Sequence, residues 1–159
     1  MKICICGGGN LGHVTAGFFS AQDDIQVSLL TTKPERWSQY LEVVDVNSKT
    51  YKGKLERISS EPRDVIPEAD IVLVCLPGFA IHDVLCNIAP YINHQTWVGT
   101  VVSSTGFFFE AMKVLPKNQP LFGFQRVPFI SRIINYGHVA ELKGYKESLS
   151  VAVEQTNKK

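Results

Sequence analysis

The segment Gly7-Gly8-Gly9-Asn10-Leu11-Gly12 constrains this chain more than any other. It follows an apolar run of strand type, Lys2-Ile3-Cys4-Ile5-Cys6, and opens a stretch over 10–21 in which Leu11, Val14 and Phe18 recur at spacings of three and four. Such spacing draws one apolar stripe along a helix. A strand turning sharply into a helix leaves first-turn N–H groups unpaired and aimed out of the turn. Through Gly7, Gly9 and Gly12 the segment matches G-x-G-x-x-G, and the strand before it and helix after it give that short pattern meaning. Gly7 is expected to permit the tight turn, Gly9 to let backbone approach a pyrophosphate, and Gly12 to let the helix pack against the first strand. The first-turn N–H groups at Asn10 and Leu11, with the helix dipole, favour an anion there. A glycine-rich turn with a purely structural role is the competing reading. No Lys-Ser/Thr pair follows the loop, which excludes a P-loop nucleotide hydrolase.

The rest of the chain alternates between the same two element types. Ile25, Val27 and Leu29 alternate with Gln26 and Ser28, a strand ending near Thr31, and Pro34 starts a short helix carrying Trp37 and Leu41 on one face. Residues 43–58 read as a small antiparallel hairpin turning at Asn47-Ser48-Lys49, with Lys49, Lys52, Lys54 and Arg57 along a solvated edge. A short helix is expected from Pro62 to Ile66. The run Ile71-Val72-Leu73-Val74-Cys75-Leu76 is apolar on both faces, as a central parallel strand must be. Pro77-Gly78 ends it, and helices over 79–90 and 107–115 flank a strand over 96–102. Leu121-Phe122-Gly123-Phe124 reads as a last short strand. This order predicts an α/β fold: a Rossmann-type, doubly wound, mainly parallel sheet with a small antiparallel hairpin. Residues 1–153 form one dinucleotide-binding domain and 154–159 a polar tail.

Charge and cysteine use narrow the class. With 159 residues, the chain has room for one core. Sixteen Lys+Arg against fifteen Asp+Glu leave a formal charge of +1, which argues against a nucleic-acid partner or a polybasic membrane surface. No stretch approaches the ~20 apolar residues of a membrane span. Cys4, Cys6, Cys75 and Cys86 show no zinc spacing and read as reduced, buried residues, which predicts a cytoplasmic protein.

The choice of dinucleotide turns on the end of the second strand. An NAD-selective site places a carboxylate there for the ribose hydroxyls. This chain has Thr31-Thr32-Lys33-Pro34-Glu35-Arg36 instead. Thr31, Thr32, Lys33 and Arg36 suit a 2′-phosphate, so NADP is expected, with NAD as second choice.

These residues also carry a resemblance. Together with Gly7–Gly12, the stretch Ala69-Asp70-Ile71-Val72-Leu73-Val74 running into Leu76-Pro77-Gly78-Phe79-Ala80, and the segment Ser103-Ser104-Thr105-Gly106-Phe107, resemble the N-terminal NAD(P)-binding domain of the octopine/nopaline (opine) dehydrogenase family. That family sits in a wider group with ketopantoate reductases and glycerol-3-phosphate dehydrogenases, and the basic strand end looks more like the ketopantoate reductases. The resemblance implies an oxidoreductase that reduces an imine formed from an amino acid and a 2-oxo acid, both small molecules. It places Leu76, Pro77 and Gly78 against the cofactor. It also implies a helical C-terminal substrate domain, expected to lie outside this chain, that supplies the main acid/base groups; no catalytic residue is assigned here. The chain is then either a piece of a longer enzyme or a stand-alone nucleotide-binding domain. A ketopantoate reductase-like 2-oxo acid reductase and a non-catalytic NADP-binding module are the alternatives.

On the substrate side, His82 follows Pro77-Gly78 at the carboxyl end of the central strand, where open α/β sheets bind ligands. A helix-surface role competes with that. Ser103, Ser104 and Thr105 could hold a nicotinamide amide or a substrate carboxylate, or simply cap the next helix. His13 could flank the cofactor; no histidine has a metal-ligand partner. Arg126 and Arg132 suit a carboxylate or a surface ion pair. Exposed phenylalanines among 107–109 or 122–129 would drive self-association into a homo-oligomer.

Overall fold

The computed structural model describes residues 1–103 and 106–154. Alternation along the first strand, β1 (Lys2–Cys6), sets up two faces: Ile3 and Ile5 pack to one side, Cys4 and Cys6 to the other, all buried. A strand buried on both faces belongs in the middle of a sheet. β1 lies between β2 (Gln26–Leu30) and β5 (Ile71–Val74), parallel to both, with Cys4 opposite Ser28 on one side and Val72 on the other. Beyond β5 come β6 (Trp97–Thr100) and β7 (Leu121–Phe124), both parallel, and then β10 (Val151–Glu154), antiparallel. Beyond β2 come β4 (Thr50–Ser59), β3 (Tyr40–Val44), β9 (Val139–Tyr145) and β8 (Phe129–Asn135). Among the described residues, ten strands make one mainly parallel sheet, as the alternation of elements predicts.

Helices cover both faces. α2 (Pro62–Val65), α3 (Ile81–Ile88) and α4 (Phe107–Val114) bury Val65, Ile81, Leu85, Ile88 and Phe107 against the Cys4, Cys6, Val72 and Val98 side. On the opposite side α1 (Asn10–Ser20) places Ala16 with Ile3, Ile5, Val27 and Leu29. The β4-to-β8 half of the sheet follows α1 closely, with Val14 packing on Val43, Ala140 and Leu142. Among the described residues, no helix is long and apolar enough to cross a membrane.

Several expectations change. Pro34 starts only a 3₁₀ turn over Pro34–Arg36, and Leu41 belongs to β3. The alternation of Leu41 and Val43 with Tyr40, Glu42 and Val44 satisfies the backbone by pairing with β4, which outweighs the local signal from proline. The lysines of β4 do not lie on a sheet edge, because β4 is flanked by β2 and β3; Lys52 pairs with Glu42 at 3.0 Å. Cys86 is exposed, while Cys4, Cys6 and Cys75 are buried, and all four are free thiols.

The largest change lies at the end of the chain. Leu121–Phe124 is not the last strand, since β8, β9 and β10 follow it. β8 hides its pattern: Ser131 faces inward and is buried, Ile130 and Ile134 are exposed, and two bulges interrupt its pairing with β9. The anticipated tail shortens as well, because Glu154 pairs with Leu121 in β10.

The run Phe107-Phe108-Phe109 divides by position on α4: Phe107 is fully buried and Phe109 is 69% exposed. Phe107→Ala should therefore cost ~3–5 kcal/mol of stability in urea denaturation. Phe109→Ala should stay within ~0.5 kcal/mol of the wild type.

Candidate functional site

The glycine loop lies at the carboxyl ends of β1, β2 and β5. Gly7 sits at φ +127°, where only glycine is at ease, and a Cβ there would stand 2.8 Å from the Cys75 carbonyl oxygen. Its N–H donates to the Leu30 carbonyl at 3.0 Å, tying the loop to β2. A Cβ on Gly12 would run into the Gly7 carbonyl, so only a hydrogen atom there lets α1 start so close to the loop. Gly9, at the N-cap of α1, differs: a Cβ there meets nothing within 4 Å. The three glycines thus occupy a tight turn, a close contact and an open position at the start of α1.

Asn10 and His13 anchor this loop to the far end of the chain. Asn10 Oδ1 accepts the Ile133 N–H at 2.8 Å, so its side chain is committed to β8. His13 is buried and bridges two backbone groups: Nδ1 donates to the Gly9 carbonyl at 2.9 Å, and Nε2 accepts the Gly137 N–H at 2.8 Å. Its ring stacks on Trp37 at 4.0 Å and meets the edge of Tyr136 at 4.8 Å. Leu11 packs against the core of the same face.

In front of the loop lies a cavity of about 580 Å³. Gly7, Gly8, Leu30, Thr31, Thr32 and Lys33 form one wall, Leu76, Ala80, Asp83, Val84 and Asn87 the other, with Ser60 and Tyr136 at its margins. Of the strand-two candidates, Thr31, Thr32 and Lys33 line the cavity. Arg36 is not among the lining residues; its guanidinium lies over the Tyr136 ring, 4.5 Å from the centroid. Pro77 and Gly78 lead into a 3₁₀ turn over Gly78–Ala80 beside the lining residue Leu76.

The substrate-side candidates do not converge on this cavity. His82 is absent from its walls; Nδ1 bonds Glu110 Oε2 at 3.0 Å and Nε2 lies 3.5 Å from Cys86 Sγ. Ser103 Oγ donates to the Phe124 carbonyl at 2.9 Å, which commits it to the end of β7. Ser104 and Thr105 lie outside the described residues. His13 braces the loop, and Arg132 donates to the Ser131 carbonyl. Among the described residues, no cluster of three metal-ligating side chains occurs.

Sequence reasoning missed Tyr136, Gly137, Asp83 and Asn87. Asn135-Tyr136-Gly137-His138, with Gly137 at φ +73°, is a hairpin turn that composition alone could have flagged between two strands. Asp83 and Asn87 follow from helical spacing after Ala80, once α3 is known to form a wall.

Comparison with known proteins agrees with this architecture. A model of the family described as "Ketopantoate reductase PanE/ApbA" matches residues 3–131. Opine dehydrogenase of Haliotis discus hannai is 31% identical over 167 residues, covering 94% of this chain and 41% of that protein. Octopine dehydrogenase of Mizuhopecten yessoensis is 29% identical over 168 residues, covering 96% and 42%. The solved structure of octopine dehydrogenase in complex with NADH and agmatine superposes with a TM-score of 0.92 at 26% identity, over 98% of this chain and 42% of that one. The chain thus spans 41% and 42% of the length of these curated relatives.

Burial holds the His13 imidazole below its ordinary value of 6.5, only partly opposed by its bond to Gly9. Above pH 6.5 this neutral ring contributes fully to stability. As pH falls below 6.5 the unfolded chain takes up a proton that the folded chain refuses, so stability is lost until the lower folded value is passed. Urea midpoints between about pH 8 and about pH 5 should show this loss in the wild type. The same component should be missing in His13→Gln.

Proposed function

The chain belongs to the ketopantoate reductase PanE/ApbA family, and we propose that it is the dinucleotide-binding domain of an NAD(P)-dependent oxidoreductase of opine dehydrogenase type. The observation that carries this reading is the open backbone of Gly9 at the start of α1, next to Gly7 and Gly8, which line a cavity of about 580 Å³. A pyrophosphate needs unpaired N–H groups, positive potential and no side chain in its way. The turn from Gly9 into α1 offers all three, and its first-turn N–H groups at Asn10 and Leu11 would hold the phosphates.

The adenosine half would lie between Thr31–Lys33 and the α3 wall of Ala80, Asp83, Val84 and Asn87. No carboxylate stands at the end of β2, whereas Thr32 and Lys33 line the cavity there. Charge-assisted donors of that kind favour NADP over NAD. Arg36 takes no direct part in this, since its guanidinium is engaged with the Tyr136 ring outside the cavity lining. Bound dinucleotide would supply the hydride; the protein's part is to hold and orient it.

The proposed substrate class rests on the names of the relatives. Opine and octopine dehydrogenases support reduction of an imine formed from an amino acid and a 2-oxo acid. The family description supports direct reduction of a 2-oxo acid as the second reading. NADPH oxidation with a 2-oxo acid panel, with and without amino acid, separates the two. Amino-acid-dependent turnover supports the first, and turnover with 2-oxo acid alone supports the second.

Binding is tested more directly at two positions. Gly9→Val should leave the fold intact, since its Cβ meets nothing, yet weaken NADPH binding by more than about tenfold, some 1.4 kcal/mol. Unchanged affinity in a folded variant would remove the assignment. Lys33→Ala should weaken NADPH binding selectively, with NADH little affected, and the difference should shrink as salt rises. Calorimetry with both dinucleotides measures this.

A further inference from the structure

A thiol, an imidazole and a carboxylate stand in line on the outer flank of α3 and α4. Cys86 Sγ lies 3.5 Å from His82 Nε2, and His82 Nδ1 lies 3.0 Å from Glu110 Oε2. His82 and Cys86 are four residues apart on α3, so they share one flank of that helix. Glu110 reaches them from the first turn of α4 and is itself held by Lys113 at 2.9 Å. The flank is separate from the cavity described above, which α3 lines through Asp83, Val84 and Asn87.

The order of the three groups is chemically directional. An ionised carboxylate can only accept, so in the neutral ring the proton sits on Nδ1 and the Nε2 lone pair faces the thiol. Glu110 is kept ionised, since Lys113 and then His82 hold its carboxyl below the usual range. A nucleophile within reach of a base, with the base oriented by a third group, is the arrangement that activates thiols. Access differs as well: Cys86 is exposed, whereas Cys4, Cys6 and Cys75 are buried, and burial pushes the Cys75 thiol up to about 12.

We propose that Cys86 is a nucleophilic thiol that undergoes exchange with small disulfides, with His82 as its base and Glu110 orienting the ring. Nε2 of His82 takes the proton from Sγ, and the thiolate attacks one sulfur of the disulfide. The new bond joins Cys86 to that sulfur while the original S–S bond breaks. The departing thiolate takes the proton back from His82. Cys86 is oxidised to a mixed disulfide and the other half of the small disulfide is reduced to a thiol, so no further oxidant is needed.

The test uses the whole chain and the chromogenic aryl disulfide dithiobis(nitrobenzoate). One thiol per native chain should react in a fast phase, faster than any thiol in the urea-unfolded chain. Cys86→Ser should abolish that phase. His82→Gln should slow it by at least about tenfold, as loss of a positioned base does, and Glu110→Gln should slow it by a smaller factor. All three variants should keep wild-type circular dichroism and the slow reaction of the buried thiols. Oxidised glutathione should give an adduct that intact mass and peptide mapping place on Cys86. An equal fast phase in folded His82→Gln would overturn the proposal. So would a native Cys86 that reacts no faster than an unfolded thiol, because exposure alone would then account for it.

Discussion

The site rests on one close contact, between α1 and the turn that precedes it. At position 12 the helix comes so near the Gly7 carbonyl that any side chain would collide with it. That contact lets α1 start immediately after β1, with its first-turn N–H groups at the carboxyl ends of the strands. Gly7 makes the same geometry possible from the other side, through its positive φ and its bond to Leu30. Ordinary residues at 7 or 12 would push the helix away from the turn that Gly7 and Gly8 form along the cavity.

Holding that loop in place falls to residues far along the chain. Asn10 bonds Ile133, 123 residues away, and His13 bonds Gly137, 124 residues away. The β8–β9 hairpin thus braces the start of α1, and Tyr136 extends from it over Gly8 and under Arg36. His13 suits this bridge because a neutral imidazole can donate at one nitrogen and accept at the other. Protonation would remove the acceptor and leave the Gly137 N–H unpaired in a buried place. The glycine loop beside the cavity and fold stability are therefore coupled through one ring.

Local patterns made the first half of the molecule legible. The apolar run before the glycines, the spacing of Leu11, Val14 and Phe18, and the doubly apolar 71–76 segment each carry their structure in a few adjacent residues. The hairpin at 43–58 was readable for the same reason. What escaped depends on pairing between distant segments. Ser131 faces inward because β9 covers it, and the bulges of β8 break the alternation that would have betrayed a strand. Among the residues that line the cavity, Thr32 and Lys33 stand out in the sequence at the strand end. Asp83 and Asn87 required knowing which flank of α3 faces the cavity. His82 misled for the same reason: its position in sequence pointed to the cleft, but its ring turns to Glu110 and Cys86.

The central claim is that the crevice between the glycine loop and α3 takes the dinucleotide. Titrating NADPH into isotopically labelled protein and following backbone amide resonances tests it at each residue. Saturable shifts should concentrate at Gly8–Leu11, at Thr32 and Lys33, and along Ala80–Asn87, while Lys2 and Glu68 at the opposite ends of the strands stay in place. Shifts that never saturate, or that gather around Lys2 and Glu68 and leave Gly9 unmoved, would contradict the account.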